Sequence, residues 1–199
     1  MSFDPHALRL TERVRRLIER LVTVDASDDD LRAADEAVDA LLRRFDGLPD
    51  RPRWYHSEAV AERGFFGYLE HSPLVGVLHP LAPPLTLERS GDRIRGRVTF
   101  GTAYEGPPGC VHGGYVAAIM DELLGAAQAV TGAPGYTGTL TVRFTSPTPL
   151  REELVLDGGV DKVEGRKIFT SGTCHAGARL CAEAEALFVS LDITDPKFE

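Results

Sequence analysis

The amino-acid sequence predicts an α+β fold in which an antiparallel β-sheet wraps around one long, buried α-helix, with an N-terminal helical extension ahead of it. Three observations carry this expectation. The stretch Gly109 to Gly125, GCVHGGYVAAIMDELLG, is apolar on nearly every face, as a helix without a solvent side must be. On either side of it the hydrophobic period drops to two, the mark of half-buried strands. Before both, residues 4–47 carry apolar side chains at helical spacing.

In chain order, Asp4 to Val22 places Leu10, Val14, Leu17, Ile18, Leu21 and Val22 at helical spacing, with Arg9, Arg13, Arg16 and Arg20 around the rest of the wheel. A second helix is expected to start at Ser27, capped through Asp30, and to stop at Gly47, with Leu31, Ala34, Val38, Leu41, Leu42 and Phe45 as its stripe. The aspartates at 28 to 30 then serve the helix end rather than a metal. Pro49 and Pro52 mark a linker, in which Trp54 and Tyr55 are expected to anchor the extension. Gly64 to Pro84 is rich in glycine, proline and aromatic residues and reads as irregular structure over the domain or along a cavity.

Strand periodicity begins with Ile94, Val98 and Phe100 alternating with Arg93, Arg97 and Thr99. It resumes after the apolar helix with Leu140, Val142 and Phe144 against Thr141, Arg143 and Thr145. Further strands are expected at Glu152 to Val163, Lys167 to His175 and Arg179 to Ile193, with turns at Gly158-Gly159, Glu164-Gly165 and Ala176-Gly177. The predicted order is strand, strand, helix, then four strands in a meander.

Between Gly106 and Val142 the only charged side chains are Asp121 and Glu122, both inside the apolar run. A carboxylate there needs a structural or chemical reason, because burying it unpaired costs several kcal/mol or raises its pKa. Asp121 therefore either holds a neighbouring loop or does chemistry. Ahead of it, the loop Glu105 to Gly109 leads into His112-Gly113-Gly114, where the helix should begin. The first N–H groups of a helix lack partners inside it and lie at the positive end of its dipole, so they seat an anion or a developing oxyanion. Asp121 is nine positions beyond His112, roughly 13 Å in helical rise. One site can use both features only if the substrate spans them or a second subunit supplies one, which points to a dimer. His112 can hold the loop or handle protons, and Cys110 reads as a small packed side chain rather than a nucleophile.

At 199 residues, with 43% hydrophobic and 26% charged side chains, the chain has the composition of an ordinary globular protein. A net charge of -8 argues against general nucleic-acid binding. The three cysteines, Cys110, Cys174 and Cys181, match no zinc or disulfide framework and predict a reducing, cytoplasmic setting. Asp4 near the start argues against a signal segment, and no run is long enough to cross a bilayer. The histidines lack ligand spacing, and no GxSxG, phosphate-loop or dinucleotide fingerprint occurs.

Four stretches together are more specific than any one: YEGPPGCVHGG at Tyr104 to Gly114, the Asp at 121, LTVRFTSPTPL at Leu140 to Leu150, and DKVEGRKIF at Asp161 to Phe169. In these the chain resembles the hotdog-fold acyl-CoA thioesterases, in the branch of the phenylacetate-pathway thioesterases and the animal carboxyl-terminal modulator protein. The likeness covers most of residues 85–191. It divides the chain into an extension and linker at 1–63 and a hotdog thioesterase domain at 64–199.

The resemblance implies hydrolysis of a fatty or aryl acyl-CoA to free acid and coenzyme A. It implies that Asp121 is the catalytic carboxylate, acting as general base on water or as nucleophile. It implies that His112, Gly113 and Gly114 form the loop whose backbone amide polarises the thioester carbonyl, and that Thr137 helps position the attacking water across a dimer. It implies, too, that sites lie between the subunits of a homodimer, which can pair into a dimer of dimers, and that no metal or redox cofactor is used. Glu122 departs from the family's small or neutral residue, and adjacent helix positions lie about 100° apart, so it is expected to face elsewhere, toward substrate. Arg143, Arg151, Arg166 and Lys167 are candidates to hold the phosphates of coenzyme A. Two other readings stand beside this one: a silent acyl-CoA-binding regulatory module, and a hotdog enoyl-CoA hydratase or dehydratase. The second helix is too acidic for DNA, and the Asp nine residues beyond His112 suits a thioesterase better than a hydratase.

Overall fold

The computed structural model describes residues 3–50, 72–133 and 135–190. Two helices open the chain. Helix α1 spans Pro5–Thr23 and is capped by Asp4, whose side chain accepts from the His6 N–H. Helix α2 spans Asp28–Asp46 and starts with the expected capping box between Ser27 and Asp30. Three aspartates in its first turn and Arg43 and Arg44 in its last complement the helix dipole. The two helices differ in what they bury. Thr11 of α1 is buried and donates to the Leu78 carbonyl, whereas no residue of α2 is buried and its apolar stripe, Leu31, Val38, Leu41, Leu42 and Phe45, is exposed.

Among the described residues the sheet has six strands, all antiparallel: β1 (Thr86–Ser90), β2 (Arg93–Thr99), β3 (Gly135–Phe144), β4 (Glu153–Glu164), β5 (Lys167–Ala176) and β6 (Arg179–Ser190). Their spatial order is β1-β2-β4-β5-β6-β3. The four later strands therefore do not form the simple meander expected from their sequence order. Only β4, β5 and β6 do, while β3 crosses to the far edge and pairs with β6. The eight residues from Thr145 to Glu152 carry the chain back from that edge to β4.

Helix α3 (Gly113–Ala129) lies along the inner face and touches β2 through β6. This is the hotdog arrangement, an antiparallel sheet around a central helix. Ile119, Met120, Leu123 and Leu124 have no solvent exposure and pack on Leu154, Leu156, Ile168 and Phe188. Each such side chain contributes about 2 kcal/mol by burial. The floor under the helix is made of small residues: Ala182, Ala184 and Ala186 on β6, Gly172 on β5 and Gly158 on β4. Gly158-Gly159, expected as a turn, lies in the middle of β4. The reason is packing: a Cβ at Gly158 would stand 2.9 Å from the Leu123 Cγ, so glycine here lets the helix approach the strand.

The turns at Gly165 and Gly177 form as expected, both glycines at positive φ. Trp54, Tyr55 and the first part of the Gly64 to Pro84 segment fall outside the described residues. So do the last three residues of the expected sixth strand.

Candidate active site

The start of α3 and the loop before it are tightly built. Glu105 Oε1 accepts the Gly109 N–H at 2.7 Å, Cys110 donates its N–H to the Pro107 carbonyl, and His112 donates its own to the Tyr104 carbonyl at 2.9 Å. Gly109 takes a positive φ of 74°. A Cβ at Gly106 would lie 2.7 Å from the His112 Cα, so glycine is required where the loop doubles back. His112 is the N-cap of α3, and its Nδ1 accepts the Gly114 N–H at 3.0 Å. The imidazole thus holds the loop as an acceptor, which fixes its proton on Nε2 in the neutral form. With Gly114 committed to the cap, the Gly113 N–H is the amide at the helix start without a partner among the described residues.

Asp121 is half-buried on α3, one turn beyond Ala117, and its Oδ1 accepts from the Thr137 hydroxyl at 3.1 Å. That contact depends on an irregularity in β3. Leu140 and Val142 face inward opposite Ala186 and Ala184, and simple alternation from them would turn Thr137 to the outer face with Thr139 and Thr141. The register slips between Thr137 and Thr139, with Gly138 as the extra residue, so Thr137 lies opposite the inward-facing Phe188. A β-bulge re-aims side chains in this way. Thr137 meets the Asp121 of its own chain, where the resemblance implied a contribution across a dimer.

Glu122 points elsewhere on the helix surface. Its Oε1 accepts from the hydroxyl of Ser72, which is 2% exposed and in turn accepts the Leu74 and Val75 N–H groups. Burial pushes the Glu122 carboxyl above its ordinary range, the Ser72 bond pulls it down, and the neighbouring Asp121 charge pushes it up again. Glu122 thus ties the segment around Ser72 to the central helix.

The candidate phosphate-binding cations do not converge. Arg166 and Lys167 lie at the end of the sheet where β3 begins: Arg166 donates from Nε to the Ser190 carbonyl at 3.1 Å, and Lys167 shares a row with Val189 and Tyr136. Arg143 lies six residues beyond Thr137 along β3, about 20 Å away, and pairs with Glu183 on the outer face at 3.6 Å. Arg151 turns back to the loop, donating to Thr102 Oγ1 at 2.7 Å. Among the described residues no cluster of three or more His, Cys, Asp or Glu could hold a metal ion, and no helix is long and apolar enough to cross a membrane. All three cysteines are free, and burial followed by the neighbouring Cys181 pushes the Cys174 thiol up to about 12.

Sequence reasoning passed over Glu19. Its carboxylate accepts the N–H groups of Thr102 and Ala103, each at 2.8 Å, at the start of the 3-10 turn Thr102–Tyr104. The available signal was Thr11, Arg15 and Glu19 at i, i+4 and i+8, a polar line along one face of α1. Thr11 donates to the Leu78 carbonyl, and Arg15 Nη2 to those of Gly76 and His79.

A family model described as the thioesterase superfamily matches residues 108–183, from the loop before α3 into β6. A thioesterase superfamily protein of known crystal structure is 34% identical, with 92% of this chain and 94% of that chain covered at a TM-score of 0.79. The acyl-coenzyme A thioesterase THEM4 of Xenopus laevis is 41% identical over 93 residues, which are 46% of this chain and 42% of that protein. The acyl-coenzyme A thioesterase THEM5 of Homo sapiens is 32% identical over 97 residues, 48% of this chain and 39% of that protein. The chain thus spans about two fifths of the length of these curated relatives. Its helix-in-sheet fold and a solved relative matched over nearly all of both chains lead to one conclusion: the chain belongs to the thioesterase superfamily.

Proposed function

We propose that the chain is an acyl-CoA thioesterase that hydrolyses a fatty or aryl acyl-CoA to the free acid and coenzyme A. The observation that carries this reading is the hydrogen bond from Thr137 to Asp121, made on the helix face of the sheet by a dedicated bulge. Asp121 is the catalytic carboxylate. As general base it takes a proton from water while the water oxygen bonds to the thioester carbon; as nucleophile it makes that bond itself. The carbonyl oxygen gains negative charge opposite the Gly113 N–H at the positive end of α3. Collapse breaks the C–S bond; in the general-base route the thiolate takes the proton that Asp121 drew from water, and in the nucleophilic route water then hydrolyses the acyl–Asp121 anhydride, freeing the acid and Asp121 and supplying the thiol proton. Thr137 holds the Asp121 rotamer, and His112 fixes the helix start through Gly114.

The Gly113 amide and the Asp121 carboxylate on one helix are roughly 12 Å apart along its axis, so one active site takes Gly113 from one subunit and Asp121 with Thr137 from another. The homodimer this needs has a candidate seam. Among the described residues β3 is the last strand of the sheet and pairs with β6 alone, and Tyr136 and Phe144 along it are 62% and 54% exposed. Of the cations, Arg166 and Lys167 at the Thr137 end of the sheet suit the phosphates of coenzyme A better than Arg143, which Glu183 already neutralises. Residues 64–199 form the thioesterase domain in this reading. The three unpaired cysteines favour a cytoplasmic setting.

The test is thiol release from acyl-CoAs of graded chain length and from phenylacetyl-CoA, with Asp121→Asn and Glu122→Gln beside wild type. Turnover lost in Asp121→Asn alone, with folding and oligomer intact, is the expected result. Binding of acyl-CoA without turnover on any substrate would replace this reading with the silent binding module.

A further inference from the structure

We infer that Glu19 on α1 is a positioning residue for the amide at the start of α3, so that the first N-terminal helix works as part of the active-site scaffold. This rests on the thioesterase reading above. A short path of contacts joins the two. The Glu19 carboxylate holds the N–H groups of Thr102 and Ala103, each at 2.8 Å. The same three-residue turn ends in Tyr104, whose carbonyl receives the His112 N–H at 2.9 Å. His112 then caps α3 by accepting from Gly114 at 3.0 Å, one residue beyond the Gly113 amide. The turn is pinned on its other sides as well. Arg151, itself at a positive φ of 61°, donates to Thr102 Oγ1, and the Tyr104 ring meets Tyr115 of α3 edge-on at 4.8 Å and Phe100 at 5.2 Å.

Two features mark this contact as built rather than incidental. Gly101 leaves room for the carboxylate: a Cβ there would stand 2.7 Å from Glu19 Oε2. The side chains that dock α1 line up with Glu19, with Thr11 and Arg15 bonded to the carbonyls of Leu78, Gly76 and His79. Helix α1 is thus fixed at one end to the segment that Glu122 ties to α3 through Ser72, and at the other to the turn leading to His112. Partial burial pushes the Glu19 carboxyl up, but the Ala103 and Thr102 backbone bonds, the Thr102 side chain and Arg151 outweigh it, so the group lies below its ordinary value and stays an acceptor near neutral pH.

The experiment compares full-length wild type with Glu19→Gln, and with Arg13→Gln as a control at an exposed position of α1. It reads kcat and KM for an acyl-CoA that wild type hydrolyses, and amide hydrogen exchange across residues 100–116. Glutamine keeps one acceptor oxygen and loses the second, so the turn loosens while α1 remains docked. The expected result is a fall in kcat on the order of 10-fold with KM within about twofold, since an oxyanion donor displaced by about 1 Å loses most of its value. Exchange at the hydrogen-bonded His112 and Gly114 amides should quicken in Glu19→Gln and not in Arg13→Gln. A lowered Tm with unchanged kcat and unchanged exchange at the helix start would overturn the inference and leave Glu19 a mere tether. If wild type cleaves no acyl-CoA, the thioesterase reading fails, and the exchange result alone decides whether Glu19 positions the helix start.

Discussion

Replacing Thr137 by valine keeps the volume and branching of the side chain and removes one hydroxyl, the one that donates to Asp121 Oδ1 at 3.1 Å. A hydrogen bond to a charged acceptor is worth about 1.5–3 kcal/mol net. In the resting protein much of that is recovered, because Thr137 is exposed and Asp121 only half-buried, so water can solvate the carboxylate in place of the hydroxyl. Stability should therefore fall by no more than about 1 kcal/mol, a shift of about 2–4 °C in Tm for a chain of this size. The reaction is more demanding, since a mobile water does not hold the carboxylate in one rotamer. If the whole bond is expressed in the transition state, kcat drops by about 10- to 150-fold at 1.36 kcal/mol per factor of ten, with KM within about twofold. Thr137→Ser, which keeps the hydroxyl, should retain most of the rate. The assay is steady-state release of the coenzyme A thiol at saturating acyl-CoA, run beside thermal melts of the three proteins. Wild-type turnover in Thr137→Val, or equal losses in the valine and serine variants, would refute the argument that the hydroxyl holds Asp121 for chemistry.

Two further outcomes follow from packing and charge. Gly158→Ala puts a methyl 2.9 Å from Leu123 Cγ and 3.0 Å from its Cδ2, at a helix residue with no solvent exposure. Overpacking of this kind costs about 1–3 kcal/mol, read as a fall of about 2–4 °C in Tm per kcal/mol; an unchanged melt would mean that α3 sits less firmly on β4 than described. Glu122→Gln tests the buried carboxyl. A carboxyl whose folded pKa is raised adds stability that is complete below its unfolded value and is lost as pH rises through the folded one. Glutamine still accepts from Ser72 and has no charge to bury. The variant should therefore be at least as stable as wild type at pH 8 and lack the decline in Tm that wild type shows as pH climbs out of the carboxylate range. A wild-type slope in the variant would disprove the assignment.

Local sequence determined a good deal. The start of α1 near Asp4, the cap at Ser27, the stop at Gly47 and the apolar run of α3 were legible because each is written within a few consecutive residues. Asp121 stood out for the same reason, as a carboxylate amid aliphatic neighbours. What the sequence left open are relations between distant positions. Alternation counted back from Leu140 assigns Thr137 to the wrong face, and only the pairing with β6 reveals the extra residue at Gly138 that returns it to Asp121. Gly158-Gly159 reads as a turn until α3 is laid against it. The edge position of β3 is fixed by which strand it pairs with, a choice that the periodicity of one strand does not contain. Glu19 looked like one more charge on an amphipathic helix, and its partners stand 83 and 84 positions away. Period, caps and composition are set by neighbours in sequence, whereas a hydrogen bond across 83 residues exists only once the sheet, the central helix and α1 have packed together.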